Sequence, residues 1–309
     1  MMILGVDIGG SGIKGALIDT ETGELKSDRI RIETPQPATP KAVAKTLKEL
    51  VDRFDWKGPV GCGFPATIHH GIAYTAANID KEWINVPVDK LFSSVIGQPC
   101  YVINDADAAG IAEMKFGAGK NEKGVVMMLT IGTGIGSAIF VNGELHPNTE
   151  LGHLIFKKGH IAEHYCSDSV RQNKDLKWNK FGKRFGKFLN YLEFLFNPDL
   201  FIIGGGCSKN FDKFSDQFKL RTRITTAKTL NYAGMIGAAV NAAEQHEKAP
   251  AAAETPAADA AAPKPESGTE KDAAGQKEKK QKKADKAEKA DKAEKPEQPV
   301  KPESEKAPR

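Results

Sequence analysis

Apolar and polar residues fall in short blocks whose repeat switches between the two-residue period of a strand and the 3.6-residue period of a helix. Residues 2–8 and 13–19 are β-branched apolar runs on either side of a glycine-rich turn, and the alternation in 24–34 predicts a third strand. Over 41–54, Val43, Ala44, Leu47, Leu50, Val51 and Phe54 recur at helical spacing. Residues 60–64 read as a strand, 88–96 as a helix stopped by Gly97, 101–103 as a short strand and 106–116 as a helix. The opening pattern then returns. Residues 125–131 form an apolar strand, "GTGIG" a second glycine turn, and 137–141 the returning strand. Trp178, Phe181, Phe185, Phe188, Leu192 and Phe196 step by three and four, the stripe of a helix that faces a core. Residues 200–203 run as a strand into Gly204, Gly205 and Gly206, and 234–244 close the pattern as an alanine-rich helix. Alternating strands and helices predict an α/β fold, a sheet covered by helices, with each glycine hairpin leading a new half.

From about residue 247 the pattern stops. The segment 247–309 is Ala, Lys, Glu, Pro and Asp with no aromatic residue and only Val300 as a large aliphatic. It cannot bury enough apolar surface to offset its ordering entropy, so disorder is expected. It carries 15 of the 44 basic and 14 of the 40 acidic residues, which divides the net charge of +4 into +3 for the body and +1 for the tail. Neither part is a magnet for nucleic acid. The body has the length of two ordinary lobes, expected at 1–110, completed by the helix near 231–246, and at 111–230. Cys62, Cys100, Cys166 and Cys207 stand apart with no CxxC pair, which predicts free thiols in a reducing cytoplasm. The chain starts directly on a strand, so no signal peptide is expected. The longest apolar stretch, 125–141, is broken by Thr130, Thr133 and three glycines, and reads as two buried strands rather than a membrane span.

Three stretches carry chemistry. "GVDIGGSGIKG", residues 5–15, sets Asp7 at the mouth of a turn built on Gly9, Gly10, Ser11 and Gly12, with Lys14 just beyond. Glycine costs backbone entropy, so the cluster serves either a tight hairpin or a close approach of backbone to an anion. Its recurrence in "GTGIG", after Thr130 and with Gly132, Thr133 and Gly134, favours phosphate contact, and Gly204–Gly206 add a third close-approach point. "YVINDADAAG" puts Asn104, Asp105 and Asp107 where a strand gives way to a helix, a place for a helix cap and also where α/β folds gather ligands. "NTELGHL" adds Glu150 and His153, three apart. They could bind a metal, but no further ligands lie at zinc spacing, and hydrogen bonding to a polyhydroxylated substrate explains them better. Phosphates at glycine turns with a carboxylate among sugar-type polar groups describe phosphoryl transfer to a hydroxyl.

"DIGGSGIKGA", "GFPATIHHG", "TAANIDKEWI", "NDADAAGIAE", "LTIGTGIGSAIF", "NTELGHL" and "PDLFIIGGGCSK" together resemble the polyphosphate-using glucokinase branch of the ROK sugar-kinase family, over about residues 3 to 240. The resemblance implies an actin-like, ribonuclease-H-like fold of two lobes with the active site in the cleft between them. By position, Asp105 would be the base for the 6-hydroxyl of glucose, and Asn78, Asn104, Glu150, His153 and Glu163 would hold the sugar. Asp7 would orient magnesium or its waters. Gly9, Gly10, Ser11, Gly12, Lys14, Thr130, Gly132, Thr133 and Gly134 would embrace the terminal phosphates, with Gly204 and Gly205 further out along the donor. Polyphosphate or ATP is the implied donor, and a cytoplasmic homodimer without nucleic-acid or membrane partners is expected. Many ROK kinases carry a cysteine-rich zinc loop after their Gly-His. Here "HLIFKKGHIAEHYCS" keeps only Glu163 and a lone Cys166, so no zinc is expected. A ROK repressor would need a helix-turn-helix ahead of the first strand, and a repressor is not expected. Polyphosphate has no base or ribose to recognise, so a cationic path must bind it, with Lys14, Lys209, Arg221, Arg223 and the face bearing Lys177, Lys180, Arg184 and Lys187 as candidates. The alternatives are a strictly ATP-dependent hexokinase with another hexose preference, and a non-catalytic sugar sensor or scaffold.

Overall fold

The first glycine turn joins β1 (Met2–Gly9) to β2 (Gly12–Asp19) as an antiparallel hairpin with Gly9 opposite Gly12. A computed structural model describes residues 1–76, 79–157 and 159–248, so the tail from 249 onward lies outside the described residues. β3 (Ile30–Ile32) pairs with β2, and β4 (Val60–Phe64) runs parallel to β1. A small hairpin, β5 (Ile68–His69) and β6 (Ile72–Ala73), follows. β7 (Cys100–Asn104) then runs parallel to β4 and completes the order β3-β2-β1-β4-β7. The second sheet repeats this plan. β8 (Val125–Ile131) and β9 (Ile135–Val141) form its glycine hairpin, β10 (Glu144–His146) extends it, and after the small hairpin β11 (Ile155–Lys157) and β12 (His160–Ile161) come β13 (Leu200–Gly204) and β14 (Arg223–Thr226), giving β10-β9-β8-β13-β14. The antiparallel and parallel pairings follow the same order in both sheets.

The third strand is shorter than the alternation over 24–34 predicts. Ser27 explains the loss: its Oγ accepts from the backbone N–H of Leu17 at 2.9 Å and so takes a ladder donor of β2, leaving only an isolated bridge between Ile18 and Leu25 before β3 begins.

Among the described residues, seven α-helices accompany the sheets: α1 (Pro40–Arg53), α2 (Val88–Ile96), α3 (Asp105–Phe116), the short α4 (Glu163–Cys166) and α5 (Asp168–Asn173), α6 (Trp178–Phe196) and α7 (Ala233–Lys248). α1 starts because Thr39 accepts from Ala42 N–H and Pro40 fits the first turn, and α2 stops because Gly97 turns left-handed at φ 72°. One apolar cluster lies between the first sheet and α1 and α2, around Val43, Leu47, Trp83 and Phe92. A second, in which alanines of α3 and α7 meet Ile3 and Ile18 of the first sheet and Met128, Phe140 and Ile202 of the second, fills the space between the two sheets. The third holds the α6 stripe against the second sheet; Phe181, Phe185 and Phe188 are 0% exposed there, and each such burial contributes about 1.5–3 kcal/mol. α7 runs on to Lys248, past the end of the alanine pattern. Among the described residues, no helix is long and apolar enough to cross a membrane.

Candidate active site

The chain enters the site at the end of β7. Asn104 caps α3: its Oδ1 accepts from the N–H groups of Ala106 and Asp107 at 2.9 and 3.0 Å, and its Nδ2 donates to the Ala66 carbonyl at 3.1 Å. With its neighbour locked on both sides, Asp105 stands as the first helical residue, its Oδ1 accepting from Ala106 N–H at 2.8 Å.

Two adjoining cavities meet at that carboxylate; both are lined by Asp105, Ala106, Thr130 and Gly205. The larger, about 400 Å³, is walled by Gly9 and Gly10 of the first turn, residues 130–137 of the second, Pro65 and Thr75, and Thr149, Glu150, His153 and Glu163. The smaller, about 210 Å³, holds Asp7, Lys14, Ser208, Lys209, Asn231 and Gly234. Lys14 Nζ sits 3.1 Å from Asp7 Oδ2. The first turns of α3 and α7 line this smaller cavity, and the positive ends of their dipoles favour an anion there. Gly205, at φ 76°, brings the chain so close to Ile131 that a Cβ would lie 2.5 Å from its carbonyl oxygen. Only glycine permits that approach where the two cavities meet.

In the larger cavity a short 3-10 turn, Leu151–His153, turns the imidazole back over two carboxylates. His153 Nδ1 is 3.5 Å from Glu150 Oε2, its Nε2 is 3.7 Å from Glu163 Oε1, and Glu163 Oε2 accepts from Ile135 N–H at 3.3 Å. Burial raises the Glu150 carboxyl above its ordinary range. Among the described residues no group of three or more His, Cys, Asp or Glu is placed to hold a metal ion. An imidazole between two acids is a row of donors and acceptors suited to adjacent hydroxyls.

Asp105 is pushed up to about 7, first by burial and then by the negative charge of Asp7, with Glu150 adding to it. Asp107 is likewise pushed up to about 7, chiefly by burial. A raised carboxyl means the folded chain holds protons that the unfolded chain has released. The stabilisation from these two groups is therefore fully present below about pH 4 and lost as pH rises through about 7. Asp105→Asn removes one of the two, so its melting temperature is expected to fall less between pH 5 and pH 8 than that of the parent chain, measured by calorimetry.

Of the residues singled out in the sequence, twelve line the larger cavity: Gly9, Gly10, Asn104, Asp105, Thr130, Gly132, Thr133, Gly134, Glu150, His153, Glu163 and Gly205. Asp7 and Lys14 line the smaller one. Ser11, Gly12 and Gly204 line neither: Ser11 is the exposed tip of the first turn, Gly12 lies under the Arg31 guanidinium, and Gly204 packs on Met128. Asn78 lies outside the described residues. Of the suggested cationic path, Lys209 reaches the smaller cavity, but Arg223 is held by Glu122 at 2.6 Å and Arg221 lies 3.8 Å from Glu193. Arg184 lies over the Tyr165 ring, 5.2 Å from its centroid. Sequence reasoning missed Ser137, Thr149 and Asn148. Ser137 Oγ donates to the Thr149 carbonyl at 2.7 Å and accepts from Leu151 N–H at 3.0 Å, which fixes the segment carrying Glu150 to β9. A serine in an otherwise apolar strand, 1% exposed, was the signal available.

The sequence pattern that defines the ROK family matches residues 3–172, more than half of the chain. The chain belongs to the ROK family. Over 237 residues it is 48% identical to the polyphosphate glucokinase of Mycobacterium tuberculosis, covering 76% of this chain and 89% of that one. Among solved structures it is similar to the inorganic polyphosphate/ATP-glucomannokinase of Arthrobacter sp. strain KM, with 45% identity, a TM-score of 0.76, and coverage of 79% of this chain and 99% of that one. The ROK family glucokinase of Streptomyces griseus, solved with glucose and AMPPNP, is 23% identical with a TM-score of 0.67, covering 79% of this chain and all of that one. At that identity it speaks for the fold alone. The repeated sheets and the cleft at their shared end are the actin-like, two-lobed α/β architecture of ROK sugar kinases.

Proposed function

We propose that this chain is a glucokinase that moves the terminal phosphoryl group of inorganic polyphosphate or ATP to the 6-hydroxyl of glucose. One observation carries the reading: a single carboxylate, Asp105, stands where a cavity lined by Glu150, His153, Glu163 and the two glycine turns meets one lined by Lys14, Lys209 and the first turns of α3 and α7. The glucomannokinase that shares this fold at 45% identity is named for both donors, and the polyphosphate glucokinase at 48% identity for one of them and for glucose.

In this reading Glu150, His153 and Glu163 hold the sugar hydroxyls, and the 6-hydroxyl faces Asp105. Gly9, Gly10, Thr133 and Gly134 present backbone N–H groups to the terminal phosphoryl group from turns that Gly132 helps to close, its own N–H donating to the Gly134 carbonyl at 3.0 Å, and Lys14 adds a positive charge. Asp105 takes the proton from the 6-hydroxyl as its oxygen bonds to phosphorus. The bond from that phosphorus to the bridging oxygen breaks, and the shortened polyphosphate or ADP leaves with the electron pair. Asp7 presents a carboxylate to the donor cavity, a single oxygen donor of the kind that holds magnesium when phosphates supply the remaining ligands. When bound, that ion neutralises charge on the phosphoryl oxygens. Homodimer assembly and a cytoplasmic setting belong to the same proposal.

The test of the donor is glucose 6-phosphate formation with each donor separately, after all nucleotide has been removed from the purified protein. Product from polyphosphate under those conditions supports the reading, and product from ATP alone replaces it with a strictly ATP-dependent hexokinase. Two further results are expected. kcat/KM for glucose should rise with pH up to about 7 and level off above it, because the base must be ionised. Glu150→Gln should raise the KM for glucose roughly tenfold or more, through loss of a charged hydrogen-bond acceptor, and leave the donor KM little changed.

A further inference from the structure

The pair that lies between the proposed base and the proposed sugar clamp belongs to neither. Asn148 N–H donates to Asp107 Oδ2 at 2.7 Å. Asp107 is two residues beyond Asp105 on α3, and Asn148 is two residues before Glu150. The Asn148 side chain faces the other way. Its Oδ1 accepts from Ile68 N–H at 2.7 Å and its Nδ2 donates to the Ile68 carbonyl at 2.9 Å, so the amide pairs with β5 as a peptide of a neighbouring strand would. Asn148 has φ 61°, a left-handed conformation that asparagine tolerates better than most residues. Asp107 is 0% exposed, and among the described residues its Oδ1 has no hydrogen-bond partner. A buried oxygen without a partner is costly, and here the other oxygen of the same carboxyl makes the link to Asn148.

We infer that Asn148 and Asp107 are positioning residues for the acceptor site: together they fix the distance between the base and the sugar clamp, and hold the clamp against the hairpin that follows β4 of the first sheet. The inference rests on the assignment of Glu150 and His153 to the sugar. Ser137 and Thr149 already fasten residues 149–151 to β9 within the second sheet. Asn148 alone among these contacts reaches β5, beside Pro65 and Thr75 on the opposite wall of the larger cavity. Loss of its side chain therefore leaves the second sheet intact and frees the spacing across the cavity.

Asn148→Gly keeps the left-handed backbone and the N–H to Asp107 but removes both bonds to Ile68. It is expected to weaken glucose binding about tenfold or more, read as the dissociation constant by calorimetry without donor and as the KM for glucose, while the donor KM stays within about twofold. Asp107→Leu should repeat the loss, and Asp107→Asn, which keeps an oxygen for the Asn148 N–H, should recover most of it. A glucose dissociation constant within about twofold of the parent in Asn148→Gly, with only the melting temperature lowered, overturns the inference and leaves a structural strap. Glu150→Gln measured alongside separates the two levels. If it weakens glucose binding while Asn148→Gly does not, the positioning role alone falls; if neither does, the sugar assignment falls and takes this inference with it.

Discussion

Asp105→Asn is expected to lower kcat roughly 10²–10⁴-fold with either donor, while glucose still binds with nearly the parent affinity. The asparagine keeps the shape and the oxygen that accepts from Ala106 N–H, so the start of α3 is preserved. What it lacks is a lone pair basic enough to take the proton of the 6-hydroxyl. The environment of Asp105 is the reason so large a loss is expected. Burial and the nearby charges of Asp7 and Glu150 hold its carboxyl at about 7, close to the pH at which a base combines ionisation with proton affinity most effectively. Rapid-quench kinetics with saturating donor gives the rate of the chemical step, and calorimetry gives glucose affinity. Turnover within about tenfold of the parent would remove Asp105 from the role of base. Loss of glucose binding in parallel with turnover would instead make it a sugar ligand.

Much of the frame around Asp105 was legible because it rests on local signals. The two glycine hairpins lie between long β-branched runs, and the α6 stripe repeats at helical spacing, so element type and order follow from periodicity. The site residues drawn from "NDADAAGIAE" and "NTELGHL" fall around one cleft because each is tied to the end of a strand, where such a fold exposes side chains. What escaped was non-local. Nothing in the residues around 148 announces a partner 80 positions earlier at Ile68. Ser27 carries no mark that its hydroxyl will interrupt a strand. Part of the suggested cationic path was obscured for the same reason: Lys14 and Lys209 line the smaller cavity, but Arg221 and Arg223 read as free charges until Glu193 and Glu122, far away in sequence, come beside them.

Gly237→Ala is expected to destabilise the folded body by about 2–3 kcal/mol or more, lowering the melting temperature by roughly 5–10 °C. One methyl group has so large an effect because of the layer it enters. α3 and α7 cross between the two sheets, and at their contact a Cβ on Gly237 would overlap the backbone carbonyl of Ala108. The same helix is pressed on the first sheet through two further glycines: a Cβ on Gly5 would overlap the Met235 carbonyl, and one on Gly61 the Ala238 carbonyl. A side chain clashing with backbone cannot rotate away, so the helices themselves must separate. Ala108 lies three residues beyond Asp105 on the same helix, and Gly234 at the start of α7 lies against Asp7. Separation at Gly237 therefore shifts Asp105 and Asp7 relative to each other. Gly237→Ala should accordingly lower kcat at temperatures where the chain is still fully folded, whereas Gly97→Ala, at a helix end with open space around it but a left-handed backbone, should cost stability and leave kcat unchanged. Equal kcat in the two variants at 20 °C would show that the α3–α7 contact supports the fold without setting the geometry of the site.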